Sequence, residues 1–237
     1  MRSLRAADVL ALWESGAQRH ALDRGALLCA WARPDLPPDT VVDLPLGVVT
    51  RELLSLREAS FGAAIHSHVD CGACGERLSV ALRASEVLQA ADDDEAARDI
   101  ELHGTRLRAL SLRDLAAVAD ELDAAHAARQ LLARCAALGE PSTLQDWPDE
   151  WVAQAEEALE RLDPNADIAL DVQCQSCGQH STAQLDASAL LWDEIDARAR
   201  SLLAEVNVLA RAYGWSEAEI LALTPTRRGA YLSMVDA

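Results

Sequence analysis

Four of the six cysteines fall in two C-x-x-C pairs, Cys71/Cys74 and Cys174/Cys177. A pair spaced in this way offers two thiolates to one metal ion from a single tight turn. Zinc takes four ligands in a tetrahedron at about 2.3 Å, so one pair half-fills a site and two pairs complete it. A full thiolate set leaves no open position for water or substrate, which suits a structural ion and not a catalytic one. One structural Zn2+ held by Cys71, Cys74, Cys174 and Cys177 is therefore the expected cofactor. An iron–sulfur cluster also takes four thiolates. A redox-active pair wants its C-x-x-C at a helix N-terminus, whereas here a glycine and strand-like sequence follow each pair.

The pairs belong to a longer internal repeat at an offset of 103 residues. Val69 corresponds to Val172, Cys71 to Cys174, Cys74 to Cys177, Gly75 to Gly178, Leu82 to Leu185 and Leu88 to Leu191. Each unit reads as strand, C-x-x-C-Gly knuckle, strand and helix. The glycine after the second cysteine suits a turn that needs positive φ. Two matched knuckles facing each other make a zinc ribbon, which would clasp everything between them. His66, His68 and His180 lie near the knuckles as alternative ligands or hydrogen-bond donors, although solvated loop histidines are the plainer reading. Cys29 and Cys135 sit in apolar helical contexts and read as core thiols.

Helical periodicity dominates the elements around these knuckles. Residues 3–31 fit one broken helix or two short ones, interrupted at Gly16 and Gly25. Residues 40–44 suggest a short strand. A helix is predicted over 47–60 with Leu53, Leu54 and Leu56 inward and a stop at Phe61 and Gly62. Residues 77–82 read as a strand, 84–97 as a helix running into the acidic stretch 92–95, and 100–110 as a strand broken near Gly104. Ser111 with Asp114 resembles a capping box, and Asp123 reads as the cap of a helix running to about residue 138. Another helix starts after Trp147 and Pro148 and runs to Leu162, before a turn at 163–165 and a strand at 168–172. Residues 190–213 form a long amphipathic helix stopped by Gly214. Ser216 with Glu219 is a further capping box, and Pro225 opens a last helix.

The composition agrees. Half of the 237 residues are hydrophobic, mainly Ala and Leu, with few aromatics and few β-branched residues. The expected fold is mainly α with a small β component, a helical body clasped by the four-cysteine ribbon. The predicted organisation is an N-terminal helical and strand region over 1–66 and a first knuckle unit over 67–90. A helical insert over 91–166, a second knuckle unit over 167–189 and a three-helix segment over 190–237 follow.

A net charge of −18 repels phosphate backbones, so nucleic acid is not an expected partner. The alternative, a zinc-ribbon regulator on nucleic acid, would need a basic surface beside the knuckles, where Arg77 and Arg83 are offset by Glu76, Glu86 and the acidic run. No stretch approaches the roughly 20 apolar residues of a membrane span, and no signal peptide is evident. A cytoplasmic protein is expected. There is no Gly-rich phosphate loop, H-E-x-x-H or G-x-S-x-G. Asp193, Glu194 and Asp196 share one helix and read as a solvated face. No enzymatic activity and no small-molecule substrate are expected.

The C-terminal segment 203–221, LAEVNVLARAYGWSEAEIL, resembles the ending of baseplate proteins from T-even-like contractile phage tails and phage-tail-like contractile injection systems. In that family two arginines and a tyrosine follow, here Arg227, Arg228 and Tyr231. The stretch 44–47, Arg51, the leucines at 53, 54 and 56, and Phe61–Gly62 also resemble the injection-system relatives. Asp114–Leu115, Ala128–Arg129 and Arg134–Cys135 are similar too. The resemblance implies a structural baseplate component or an assembly factor, with other baseplate, hub or spike proteins as partners and incorporation into a tail-like particle. Arg211, Tyr213, Trp215, Arg227, Arg228 and Tyr231 are the candidate interface. For Trp215, Tyr213 and Tyr231 a local core is the first reading and interface anchors the second, and the arginines could pair with internal carboxylates or meet an acidic neighbour.

Overall fold

A computed structural model describes residues 3–88, 99–136 and 147–235. The chain opens with α1 (Ala6–Gly16) and α2 (Ala21–Ala32). The broken apolar pattern of residues 3–31 is thus two helices. Asp8 closes the start of α1 by accepting from the Arg5 backbone at 3.0 Å and from its guanidinium. Where the β-branched run at 40–44 suggests a strand, the chain instead forms the helical turn α3 (Pro38–Val41). Pro37 and Pro38 set the φ of a first helical turn, and burial of Val41 holds it, so local strand preference loses. α4 (Leu46–Phe61) ends at Gly62, whose φ of +98° breaks the helix.

The hairpin β1 (Ala64–Asp70) and β2 (Arg77–Arg83) follows, antiparallel from the Ala64/Arg83 pair to the Asp70/Arg77 pair. α5 (Ala84–Val87) is one short turn. The helix predicted beyond it, and the acidic run 92–95, lie outside the described residues. A second hairpin, β3 (Asp99–Leu102) and β4 (Thr105–Arg108), turns through His103 at φ +50° and Gly104 at φ +75°. This is the left-handed geometry that tight two-residue hairpins need. α6 (Leu112–Ala117) carries the Ser111/Asp114 capping box, with Ser111 donating to Asp114 from both backbone and hydroxyl. α7 (Ala124–Cys135) is capped by Asp123, which accepts from the amides of Ala125 and His126, and it gives way to extended Ala136. α8 (Asp149–Leu162) leads to the third hairpin, β5 (Ala169–Gln173) and β6 (His180–Gln184).

The last helices are α9 (Ala187–Tyr213), α10 (Glu217–Ala222) and α11 (Pro225–Val235). α9 has 27 residues and so spans about 40 Å. Asp186 caps its start, and Gly214 in the left-handed region ends it. The Ser216/Glu219 capping box opens α10 as the spacing predicts.

α9 is the spine of the main core. Its Leu191, Ile195 and Leu202 are fully buried against Val9 and Leu12 of α1, Leu28 of α2 and Leu53, Leu54 and Leu56 of α4. Each such side chain contributes roughly 1.5–3 kcal/mol by leaving water. The predicted boundary at 189/190 therefore falls inside a helix that the N-terminal region needs for its core. The first knuckle unit likewise begins at Ala64, not at residue 67. A smaller core joins Leu107, Leu132, Cys135, Trp147 and Ala155 within the middle segment, while Leu112 of α6 belongs to the main core.

One long-range ion pair and one long-range hydrogen bond lock the spine. Arg57, 3% exposed, donates through two nitrogens to Glu194 at 2.6–3.2 Å and through its third to Gly62 O at 2.6 Å. Trp13 Nε1 donates to Asp196 at 2.7 Å, and Arg200 pairs with the same carboxylate. Glu194 and Asp196 thus bind neighbouring elements, while Asp193 alone is the exposed face expected of all three. No helix among the described residues is long and apolar enough to cross a membrane.

Candidate metal centre

The two knuckles repeat each other bond for bond. Cys71 N–H donates to Glu76 O at 2.8 Å and Gly75 N–H to Cys71 O at 2.8 Å. Cys174 N–H donates to Gln179 O and Gly178 N–H to Cys174 O, both at 2.9 Å. Gly75 and Gly178 share a φ of +73°, where any side chain would be strained. The 103-residue repeat is thus a repeat of structure, with β1 and β5 leading in and β2 and β6 leading out.

The hairpins bring all four sulfurs together, within 4.8 Å of one another. Cys71 Sγ lies 3.7 Å from Cys177 Sγ, and Cys74 Sγ lies 3.7 Å from Cys174 Sγ. Both close pairs cross from one knuckle to the other. A regular tetrahedron with bonds of about 2.3 Å has edges of about 3.8 Å, so the cluster has the dimensions of a single-ion site. Cys71 and Cys174 are buried, with Leu78 and Val172 packed on them, whereas Cys74 and Cys177 face solvent.

The thiols do not ionise alike. Backbone N–H groups of Cys74 and Ala73 stabilise the Cys71 thiolate and bring it down to about 7. Cys74 receives the Glu76 N–H, yet the neighbouring sulfurs of Cys177 and Cys174 outweigh it and push the thiol up to about 12. Four sulfurs this close cannot all carry charge without a cation among them. Their geometry and their charge both fit a bound metal ion.

Among the described residues this group is made of cysteine alone, and none of His66, His68 and His180 joins it. All three are exposed, and His68 Nδ1 sits 3.4 Å from Ser79 Oγ. Cys29 and Cys135 are fully buried elsewhere, their thiols pushed up by burial to about 11 and about 12. Beside the knuckles Arg77 pairs with Asp70 at 3.3 Å, which spends one of the two nearby basic groups.

At the far end of α9, three aromatic rings meet. Tyr213 stacks on Trp215 with centroids 4.7 Å apart, and Tyr231 stands edge-on to both at 5.7 and 4.8 Å. Tyr213 is exposed, Trp215 and Tyr231 are half-buried, and Arg211 and Arg227 are exposed. Arg228 differs. It is 1% exposed, pairs with Glu205 and donates to Leu223 O at 3.2 Å. Glu205 also takes Arg198 at 2.8 Å. Arg228 is thus an internal tie between α9 and α11 and not part of an open interface.

A second aromatic group forms in the middle segment. His103, at the β3–β4 turn, stacks on Trp151 at 3.9 Å and stands edge-on to Trp147 at 5.6 Å, with Nε2 2.8 Å from Gln154 Oε1. The sequence marks Trp147 as a staple at a helix start and Trp151 as a core or interface anchor, and Gly104 as a turn, but nothing in it singles out His103. Compared with protein families, curated proteins and solved structures, the chain matches none.

Proposed function

We propose that this chain is a non-enzymatic structural component or assembly factor of a contractile, phage-tail-like baseplate, and that one structural zinc ion clasps its two knuckles. The observation that carries the assembly reading lies at the C-terminal end. The segment that resembles the baseplate family supplies Tyr213, Trp215 and Tyr231, whose rings meet with Tyr213 exposed, and the same segment carries the exposed Arg211 and Arg227. Aromatic and arginine side chains in one patch are the usual anchors of protein interfaces. The partners are then hub, spike or other baseplate proteins.

The zinc reading is supported by the 3.7 Å sulfur pairs, which suit one ion at the centre. A multi-iron cluster would interpose its own atoms and hold the cysteines farther apart. Closing all four positions with thiolate leaves the ion a mechanical role. It ties β1–β2 to β5–β6 and so fixes both ends of the intervening segment to the spine.

Affinity capture of the tagged full chain from its native cell tests the assembly reading. Recovery of sheath, hub or spike proteins is the expected result. Recovery of nucleic acid with no tail protein would overturn it in favour of a regulatory role.

A further inference from the structure

β1–β2 and β5–β6 are separate two-stranded sheets, so β2 and β5 each keep one edge without a ladder partner among the described residues. Residues of both strands line one open slot of about 610 Å3. The ladder fixes which groups face it. Cys71 bonds to Glu76, so alternation along the antiparallel register pairs Val69/Leu78, Ser67/Val80 and Ile65/Leu82 by hydrogen bonds. The N–H and C=O groups of Ser79 and Ala81 then point away from β1. By the same parity, from the Cys174/Gln179 bond, those of Ala169, Asp171 and Gln173 point away from β6.

The side chains alternate in step. Val80, Leu82, Leu170 and Val172 are half-buried on one face, and Ser79, Ala81, Ala169 and Asp171 are exposed on the other. Asp171 and Glu86 place negative charge on the lining, and Asp171 has no ion-pair partner among the described residues.

We propose that the slot receives an extended segment of a partner protein as an added β-strand between β2 and β5. The segment alternates apolar side chains, laid on the row Val80, Leu82, Leu170 and Val172, with polar ones that include a basic residue opposite Asp171. Main-chain bonds to both edges supply affinity, and the alternating faces supply register. About five residues span the walls. The sulfur pairs hold the two hairpins at their present separation, so the slot depends on the metal. This inference rests on the assembly reading only in taking the partner to be a protein.

The test is fluorescence anisotropy of the metal-loaded full chain with labelled heptapeptides that alternate Val or Leu with Thr or Arg. Saturable binding is expected for Arg-containing members, with loss on chelation. N-methylation of alternate peptide amides should weaken binding at least about tenfold, since several main-chain bonds go at once. Ala81→Pro and Ala169→Pro should do the same while keeping the metal, because the N–H groups they remove face the slot and not the ladder. No binding by any member, or equal binding by the N-methylated peptides, would overturn the proposal whatever the variants do. Capture of tail proteins by a chain that binds none of these peptides would leave the assembly reading standing and remove only the slot.

Discussion

The backbone N–H of Gly47 donates to Asp163 Oδ2 at 2.8 Å, so a carboxylate 116 residues away caps α4. α4 has no side-chain cap of its own behind Pro45. The contact joins the turn before β5 to the start of a core helix, and it leaves no room for a side chain at Gly47. A Cβ there would stand 1.9 Å from Asp163 Oδ1 and 3.1 Å from Asn165 Cβ. Gly47→Ala is expected to cost about 1–3 kcal/mol in denaturant unfolding. An unchanged midpoint would mean the turn yields freely.

Burial raises the Asp163 carboxyl above its ordinary 3.8, against the opposing pull of the Gly47 N–H and Arg51. A raised acid contributes most when protonated. Its contribution is complete below pH 3.8 and is lost as pH rises through the higher folded value. Asp163→Asn keeps an oxygen for Gly47 and removes that loss. The variant should be at least as stable as the parent at pH 7, and its advantage should shrink towards pH 4. Thermal midpoints across that range check this. An Asn variant clearly weaker at pH 7 would show that the charge itself is needed at the helix start.

Arg228 and Arg227 are neighbours with opposite fates. Arg228→Ala strands Glu205 with Arg198 alone and should destabilise by about 3 kcal/mol, while Arg227→Ala, at an exposed position, should stay within about 0.5 kcal/mol. Burial raises the Glu205 carboxyl, but the two guanidinium groups win and hold it below its ordinary 4.5. The stability it adds is present above pH 4.5 and is lost as pH falls through the lower folded value. Arg228→Ala should therefore also flatten the acid limb of the stability curve. Equal losses for the two arginines would contradict the internal role of Arg228.

What was legible in the chain was whatever short spacing controls. The knuckles, their glycines, the Ser111/Asp114 and Ser216/Glu219 boxes and the stop at Gly214 are set within a few residues, and each stands where its spacing predicts. The 103-residue repeat extended that reach to the four sulfurs, because two copies of one unit imply a shared geometry. Arg57 and Glu194 show the limit. Nothing near either residue announces a partner 137 residues away. The turn at Pro38–Val41 failed for another reason, since two prolines outweighed the local preference of Val41 and Val42. The boundary at 189/190 failed because periodicity reveals a helix but not which segment it buries against.

If the aromatic patch is the assembly surface, Trp215→Ala should leave the fold intact and weaken partner capture by roughly 30-fold, the size of a 2 kcal/mol anchor. Circular dichroism and metal content monitor the fold in parallel. Undiminished capture would move the interface elsewhere.

The metal clasp carries the most specific consequences for the body of the protein. With free metal at a thousand times its Kd, binding adds about 4 kcal/mol, or roughly 8–16 °C in thermal midpoint for a chain of this size. Cys174→Ser should lose both the ion and that increment. Cys29→Ala and Cys135→Ala, whose sulfurs lie outside the cluster, should keep the ion.

The most direct measurement is elemental analysis of the purified chain. One zinc per chain, absent from Cys174→Ser, is the predicted result. A zinc content well below one, or iron in its place, would contradict the account.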